Sequence, residues 1–471
     1  MMIDLHPYPV YKDSGVPWLG EVPEHWEVLP GRACYYEKKE PNTGLKEKTV
    51  LSLSYGQIVI KPEERLHGLI PASFETYQIV DPGDIIIRPT DLQNDWNSLR
   101  FGLSHHRGII TSAYMCFHTK EILDRSYGHL LLHAYDLKKV FYGLGSGLRQ
   151  NLDWRDFKYL PCCVPPIPEQ IAIVRFLDHM DQRIRRSIHA KQKLIKLLEE
   201  QKQVIMHQAV TRGLDPNVRL KPSGVEWLGD VPEHWEVRKL RSLFRRHGSG
   251  TTPTGDAYYG GEIPWVMTGD LKDGIVSTTK RTVHKFALEQ VSALRLYPPA
   301  SLIVAMYGAT IGKTGILAME ACTNQACCVL AEPVPDANVE YFQAAVNHAR
   351  HALIKQSYGG GQPNINSEIV RALRVPVPPR REQDEIMNTV GNSVERIAIA
   401  NIQREISLLR EHRTRLIADV VTGKLDVRKA AASLPDEVGE PESLDDVDAL
   451  SEGELSAEGV DTDVETGEVE A

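Results

Sequence analysis

Residues 14–28 read SGVPWLGEVPEHWEV and residues 223–237 read SGVEWLGDVPEHWEV, identical at 13 of 15 positions with an offset of 209. An echo of that length, carrying two tryptophans and a histidine, marks two copies of one unit in tandem, and a repeat governs how every other segment is read. A second echo closes each copy: VPPIPEQ at 164–170 is answered by VPPRREQ at 377–383, with an offset of 213. A third follows, AVTRGLD at 209–215 against VVTGKLD at 420–426, with an offset of 211. Between them, residues 30–160 and 239–375 barely resemble each other. A shared frame therefore presents two different contents.

Each second echo opens a helical pattern. Pro168, Glu169 and Gln170 suit the unpaired amides and positive end of a helix N-terminus. Apolar residues then follow a 3.5-residue seam at Ile184, Ile188, Ile195, Leu198, Ile205 and Ala209, with Lys191 and Lys202 as polar members. The second copy repeats it at Ile399, Ile402, Ile406, Leu409, Leu416 and Val420, and Gly213 and Gly423 stand at the stops. A sustained 3.5 period predicts a coiled-coil partner, and the nearest partner is the other copy. The first helix, over about 169–212, would span on the order of 65 Å.

At 471 residues, with 42% hydrophobic and 25% charged, the chain has the composition of globular domains. No apolar run approaches the ~20 residues of a membrane span. The start, MMIDLHPYPVYKD, lacks the basic and apolar regions of a signal peptide, so the expected location is the cytoplasm. The seven cysteines are expected to be reduced thiols. The net charge of −9 divides unevenly: residues 436–471 carry 15 Asp or Glu and no Lys or Arg, leaving 54 basic against 48 acidic groups, or +6, on the body. The tail reads as disordered, and the body permits nucleic-acid binding.

The two middles mix short β-rich runs (49–54, 57–60, 83–87, 108–117, 301–307 and 326–330) with helical patterns near 121–140 and 338–356 and long polar loops. Loops on a rigid scaffold are where recognition residues sit. Arg forks onto guanine, Asn and Gln pair with adenine, and small hydroxyl residues and backbone amides hold phosphates. The candidates in the first middle are Arg88, Thr90, Gln93, Asn94, Arg100, Thr111, Ser112, Arg149, Gln150 and Asn151. In the second they are Thr251, Thr252, Thr268, Lys272, Thr310, Lys313, Asn324, Gln325, Gln362 and Asn364. An ordinary turn or capping role stands beside the base contact for each. Gly308-Ala-Thr-Ile-Gly-Lys-Thr314 imitates a P-loop, but Tyr307 occupies the position where the first glycine is required. No catalytic set is complete, and no metal site is expected. Trp18, His25 and Trp26, with Trp227, His234 and Trp235, read as anchors of each unit whose aromatic surface could equally dock a partner.

Taken together, the paired WLGEVPEHWEV and WLGDVPEHWEV segments, the PPIPEQ and PPRREQ helix starts and the AVTRGLD and VVTGKLD helix ends resemble the specificity subunits of type I restriction-modification enzymes. Within the second middle, Thr252-Pro253, Tyr259-Gly-Gly-Glu-Ile-Pro-Trp265 and Gly308–Lys313 are similar to a target-recognition domain of that family. The resemblance implies mixed α/β architecture, with two globular target-recognition domains in tandem repeat separated by two long antiparallel coiled-coil helices. The implied boundaries are 1–163, 164–215, 216–376, 377–430 and an acidic tail at 431–471. It further implies a non-catalytic subunit that binds double-stranded DNA at a bipartite asymmetric site. Two methyltransferase subunits would carry S-adenosylmethionine, and motor and restriction subunits would use ATP and magnesium; this chain would hold no cofactor. The alternative is a stand-alone two-headed DNA-binding or adaptor protein.

Overall fold

The computed structural model describes residues 5–54, 56–61, 73–96, 98–145, 150–358, 363–391 and 394–435. Arg149, Gln362 and the acidic tail from 436 onward lie outside them. The chain divides into two compact units, one of residues 1–190 with 405–471 and the other of residues 191–404. Five helices organise them: α1 (Arg125–Leu137), α2 (Ile167–Arg212), α3 (Val339–His348), α4 (Arg380–Gly391) and α5 (Val394–Val421).

The sequence echoes are the parts of one latch. In the first unit Glu27–Pro30 pairs antiparallel with Pro161–Val164, so that Glu27 faces Val164. In the second Glu236–Lys239 pairs with Arg374–Val377 in the same register, Glu236 facing Val377. The indole of Trp26 is fully buried and donates to Glu169 Oε1 at 3.0 Å, while His25 Nε2 lies 2.8 Å from Oε2. Trp235 and His234 hold Glu382 at 3.0 and 2.9 Å. The next residue of each helix is a buried glutamine. Gln170 accepts from Asp124 N and donates to Ile122 O and Pro165 O. Gln383 accepts from Asn338 N and donates to Asp336 O and Pro378 O.

Those contacts reveal a frame member that the sequence reading assigns to the variable middles. Asp124 caps α1 through Tyr127 N, and Asn338 caps α3 through Tyr341 N. The hydroxyl of Tyr127 then donates to Val421 O at 3.4 Å, and that of Tyr341 to Val210 O at 3.2 Å. Each unit thus grips the end of a long helix: Leu416, Ile417, Val420 and Val421 join the first core, and Ala209 and Val210 join the second. Gly213 and Gly423 end these helices at φ +79° and +78°, and a Cβ on Gly423 would lie 2.4 Å from Pro23. In the second unit the chain runs on from Arg212 to Leu220. In the first the same junction is closed between segments far apart in the chain, with Asp426 N donating to His6 O at 2.8 Å.

The apolar seam is present as expected. Along α2, Ile184, Ile188 and Ala209 are buried and Lys191, Ile195, Leu198, Lys202 and Ile205 half-buried, whereas Leu197 is 61% exposed. Along α5, Ile406, Leu416 and Val420 are buried. Within the first unit the helices run antiparallel: Tyr127 ties Val421 to Cys163, while Arg413 pairs with Asp181 farther along α2. The second helical segment, expected as one helix over 377–430, is α4 and α5 flanking residues 392–393, which are outside the described residues. Among the described residues no helix is long and apolar enough to cross a membrane. All seven cysteines are buried and unpaired.

The heads differ. The first carries an antiparallel four-stranded sheet in the order Tyr35–Glu37, Met115–Thr119, Ile85–Ile87, Phe101–Leu103. The run expected as one strand over 108–117 is split by a turn, Tyr114 N donating to Thr111 O. The second carries a five-stranded sheet in the order Phe244–Ser249, Cys327–Pro333, Leu302–Ala305, Thr314–Leu317, Gly274–Val276, its last pair parallel.

Two outcomes follow from this packing. Glu169 serves three donors, Tyr8 among them at 2.6 Å, with 6% of its side chain exposed, against two donors and 25% for Glu382. Replacing Glu169 by Ala strands a buried indole N–H and a phenol and should lower unfolding stability by about 3 kcal/mol, and Glu382→Ala by about 1 kcal/mol; equal losses in denaturant titrations would contradict the latch. Burial also depresses the imidazoles of His129 to about 4, His133 to about 3 and His348 to about 4, helped for His133 by His129 and Arg413. These rings are neutral when folded and take up protons when unfolded below about 6.5, so stability is full above that pH and falls between 6.5 and about 3. Melting temperature should drop from pH 7.5 to 5, and His133→Asn should flatten the slope.

Candidate nucleic-acid interface

In the first head, strand Ile85–Ile87 leads into a loop that returns at Phe101. Arg88 forms an ion pair with Asp95 at 3.4 Å, and Asn94 Nδ2 donates to Asp91 Oδ1 at 2.8 Å. Asn151 Oδ1 accepts from Asp91 N, and Leu152 N donates to Pro89 O, so the distant segment at 150–152 is fastened to this loop. The structure thereby brings Arg88, Thr90, Gln93, Asn94 and Asn151 to one edge, with Gln93, Asn94 and Asn151 exposed. Gln150, beside them, adopts φ +47°. Ser112 is exposed on the turn capped by Thr111, whose Oγ1 accepts from Ala113 N. Ser112 opens onto a cleft of about 650 Å³ that also contains Pro89, Gln78, Tyr114, Trp154 and Arg155.

Arg100 requires correction. It is fully buried, and its guanidinium donates to Arg88 O, Thr90 O, Asp91 O and Asp95 O, with Tyr142 OH on Nε. Its donors are consumed by backbone carbonyls, so it cannot reach a base or phosphate. Nothing in the sequence says to which side of a loop an arginine turns.

In the second head, the P-loop imitation is the tip of a β-hairpin. Leu302–Ala305 pairs antiparallel with Thr314–Leu317, and Gly308 and Gly312 turn the chain at φ +61° and +75°. Thr310 Oγ1 donates to Tyr307 O at 2.7 Å, and Lys313, half-buried, sits at the foot of the turn. Asn364 bridges Tyr307 and Tyr358 through its backbone, while Gly308 N donates to Pro363 O. A second group forms where Thr252 Oγ1 donates to Gln325 Oε1 at 2.5 Å, with Thr251 N on Thr323 O and Asn324 Oδ1 capping Ala326 N. Thr268 opens a short turn, and Lys272 is exposed just beyond it.

Three exposed aromatics at these edges escape a reading based on polar residues: Trp96 at 51%, Tyr307 at 39% and Tyr358 at 56%. Their signal is an aromatic beside amides or glycines in a loop. Conversely, Trp26 and Trp235 have no exposed surface and cannot dock a partner, because both indoles serve the latch. His25 and His234 are held by the same carboxylates. Trp18 keeps 38% of its surface, edge-on to Tyr135, and Trp227 is half-buried. Among the described residues no group of three His, Cys, Asp or Glu could hold a metal ion.

Comparison with known proteins agrees with this architecture. Residues 232–410 match the type I restriction modification DNA specificity domain. The chain is 22% identical over 436 residues to the type I restriction enzyme MjaVIII specificity subunit of Methanocaldococcus jannaschii, covering 86% of this chain and 94% of that protein. It is 25% identical over 187 residues to the MjaIX specificity subunit of the same organism, covering 38% of this chain and 42% of the relative. A solved structure from work on complex assembly and conformational transition of the type I R-M system shares the fold, with a TM-score of 0.58 at 15% identity over 86% of this chain and 99% of its own.

Proposed function

We propose that this chain, which belongs to the type I restriction-modification specificity subunits, reads a bipartite, asymmetric DNA sequence, one half with each head, and seats the modification and restriction subunits on its repeated frame. The observation that carries this reading is the duplicated latch. Two frames share the Trp and His contacts to each latch glutamate and the glutamine that follows it, while the heads they hold carry different sheets and different loop chemistry. Equivalent frames suit two copies of one partner, and unlike heads suit two unlike DNA sequences.

The chain's own work is recognition. Amides and hydroxyl groups on the loop edges would meet base edges, and Lys and Arg would meet phosphates. Affinity should therefore fall steeply with salt while site choice stays the same. Methyl transfer would belong to two partner methyltransferases that bring S-adenosylmethionine, and translocation and cutting to motor subunits that use ATP and magnesium. The place of work would be the cytoplasm, beside the chromosome. The helices α2 and α5 would set the unread gap, since a helix holds a length of ~1.5 Å per residue without bending freely.

The decisive measurement is the DNA methylation pattern of the host with and without the chain. A two-part motif should disappear on its deletion, and an unchanged pattern would sink the reading. Exchanging residues 239–375 for another head should alter one half of the motif and leave the other; changes in both halves would defeat modular recognition. Inserting one helical turn near Lys191 should widen the gap between the halves, and a constant gap would deny α2 the role of spacer.

A further inference from the structure

The loop at residues 88–96 of the first head is held with more rigidity than a connection needs. From below, the Arg100 guanidinium binds carbonyls at four points along it, at 2.7 Å for Thr90 O and Asp95 O. From the side, Asn151 fixes Asp91, which adopts φ +62°, a conformation a non-glycine residue keeps only when its surroundings impose it. At the far end Asp95 N donates to Asp91 O, and Ser98 N donates to Asp95 Oδ1.

What this stiff loop displays is specific. Gln93 and Asn94 are exposed, and the Asn94 amide is oriented by Asp91. Trp96 lays one face on Tyr142, with ring centres 4.5 Å apart and planes at 31°, and its Nε1 donates to Gln93 O at 3.1 Å. Lys139 Nζ bonds Trp96 O and covers the Tyr142 ring at 4.6 Å. The indole therefore cannot fold back into the head, and half its surface stays open to solvent. Of the two carboxylates on the loop, Asp95 is paired with Arg88 and Asp91 accepts from Asn94.

We propose that Asp91–Trp96 is the reading edge of the first head: Gln93 and Asn94 meet base edges, the open face of Trp96 packs against an adjacent base, and Arg100 positions the loop without touching DNA. Two neighbouring amides are the chemistry that pairs bidentately with adenine. A rigid aromatic beside them supplies apolar contact or a wedge at the base step. A loop fixed before binding loses little conformational entropy on binding. The inference rests on the specificity-subunit reading and assigns the determinant within one of its heads.

The test uses the full chain in its host, read by the methylated motif, with Trp96→Ala, Gln93→Ala and Asn94→Ala on the exposed edge. Each should relax one or two positions within a single half of the motif, by roughly tenfold in discrimination. The other half should be unchanged in all three, and the melting temperature unchanged in Gln93→Ala and Asn94→Ala. Arg100→Gln, assayed well below its melting point, should relax the same positions, and Arg100→Lys should recover part of the selectivity. Wild-type site choice in all three surface variants would overturn the proposal. An Arg100→Gln chain that melts earlier yet reads the same motif would remove its positioning role. If the unmodified chain directs no two-part motif, the specificity-subunit reading fails and this inference with it.

Discussion

A buried indole N–H must find an acceptor, and in both units it finds the same one, the glutamate in the first turn of α2 or α4. Leaving such a donor unpaired costs about 1–3 kcal/mol, and the carboxylate gains further from the positive end of the helix. One contact therefore fixes three things: the lead-in segment with its tryptophan, the strand pairing beside it, and the direction in which α2 or α4 departs. The glutamine one residue on extends the hold to the cap of α1 or α3, whose tyrosine in turn clasps the end of a long helix. Removing any member leaves another buried polar group unmatched, which explains why the echoes occur as a set.

With the frame bound in this way, the heads are free to diverge. Their sheets differ in strand number and order, and their exposed edges differ in chemistry, with amides and a tryptophan on one and tyrosines with hydroxyl residues on the other. Each head has apolar clusters of its own, and the latch, α1 or α3, and the helix ends add to the core beside them. The exposed side chains of such anchored loops can be selected for what they touch.

Much of the polar kit is legible in the chain, since Gln93, Asn94 and Asn151 do share one edge, and Thr252 does meet Gln325. Arg100 is ambiguous in the sequence because residue type fixes donor number but not direction, and a loop of carbonyls is as good a partner as DNA. Trp26 and Trp235 are equally ambiguous, because an indole reads alike whether it seals a core or a surface. The place of α1 and α3 in the frame is not legible in the chain, because Asp124 and Tyr127 share little surrounding sequence with Asn338 and Tyr341; their kinship is in the hydrogen bonds alone.

The amino-acid sequence by itself determined the duplication, the seam on the long helices and their stops, and the divergence of the heads, because repetition and 3.5-residue periodicity are properties of spacing along the chain. Which echoes touch, that α1 and α3 belong to the frame, and that Arg100 faces inward while Trp96 faces out are consequences of folding. Those outcomes depend on which groups lose their water together, and burial is settled between residues far apart in the chain rather than among neighbours within it.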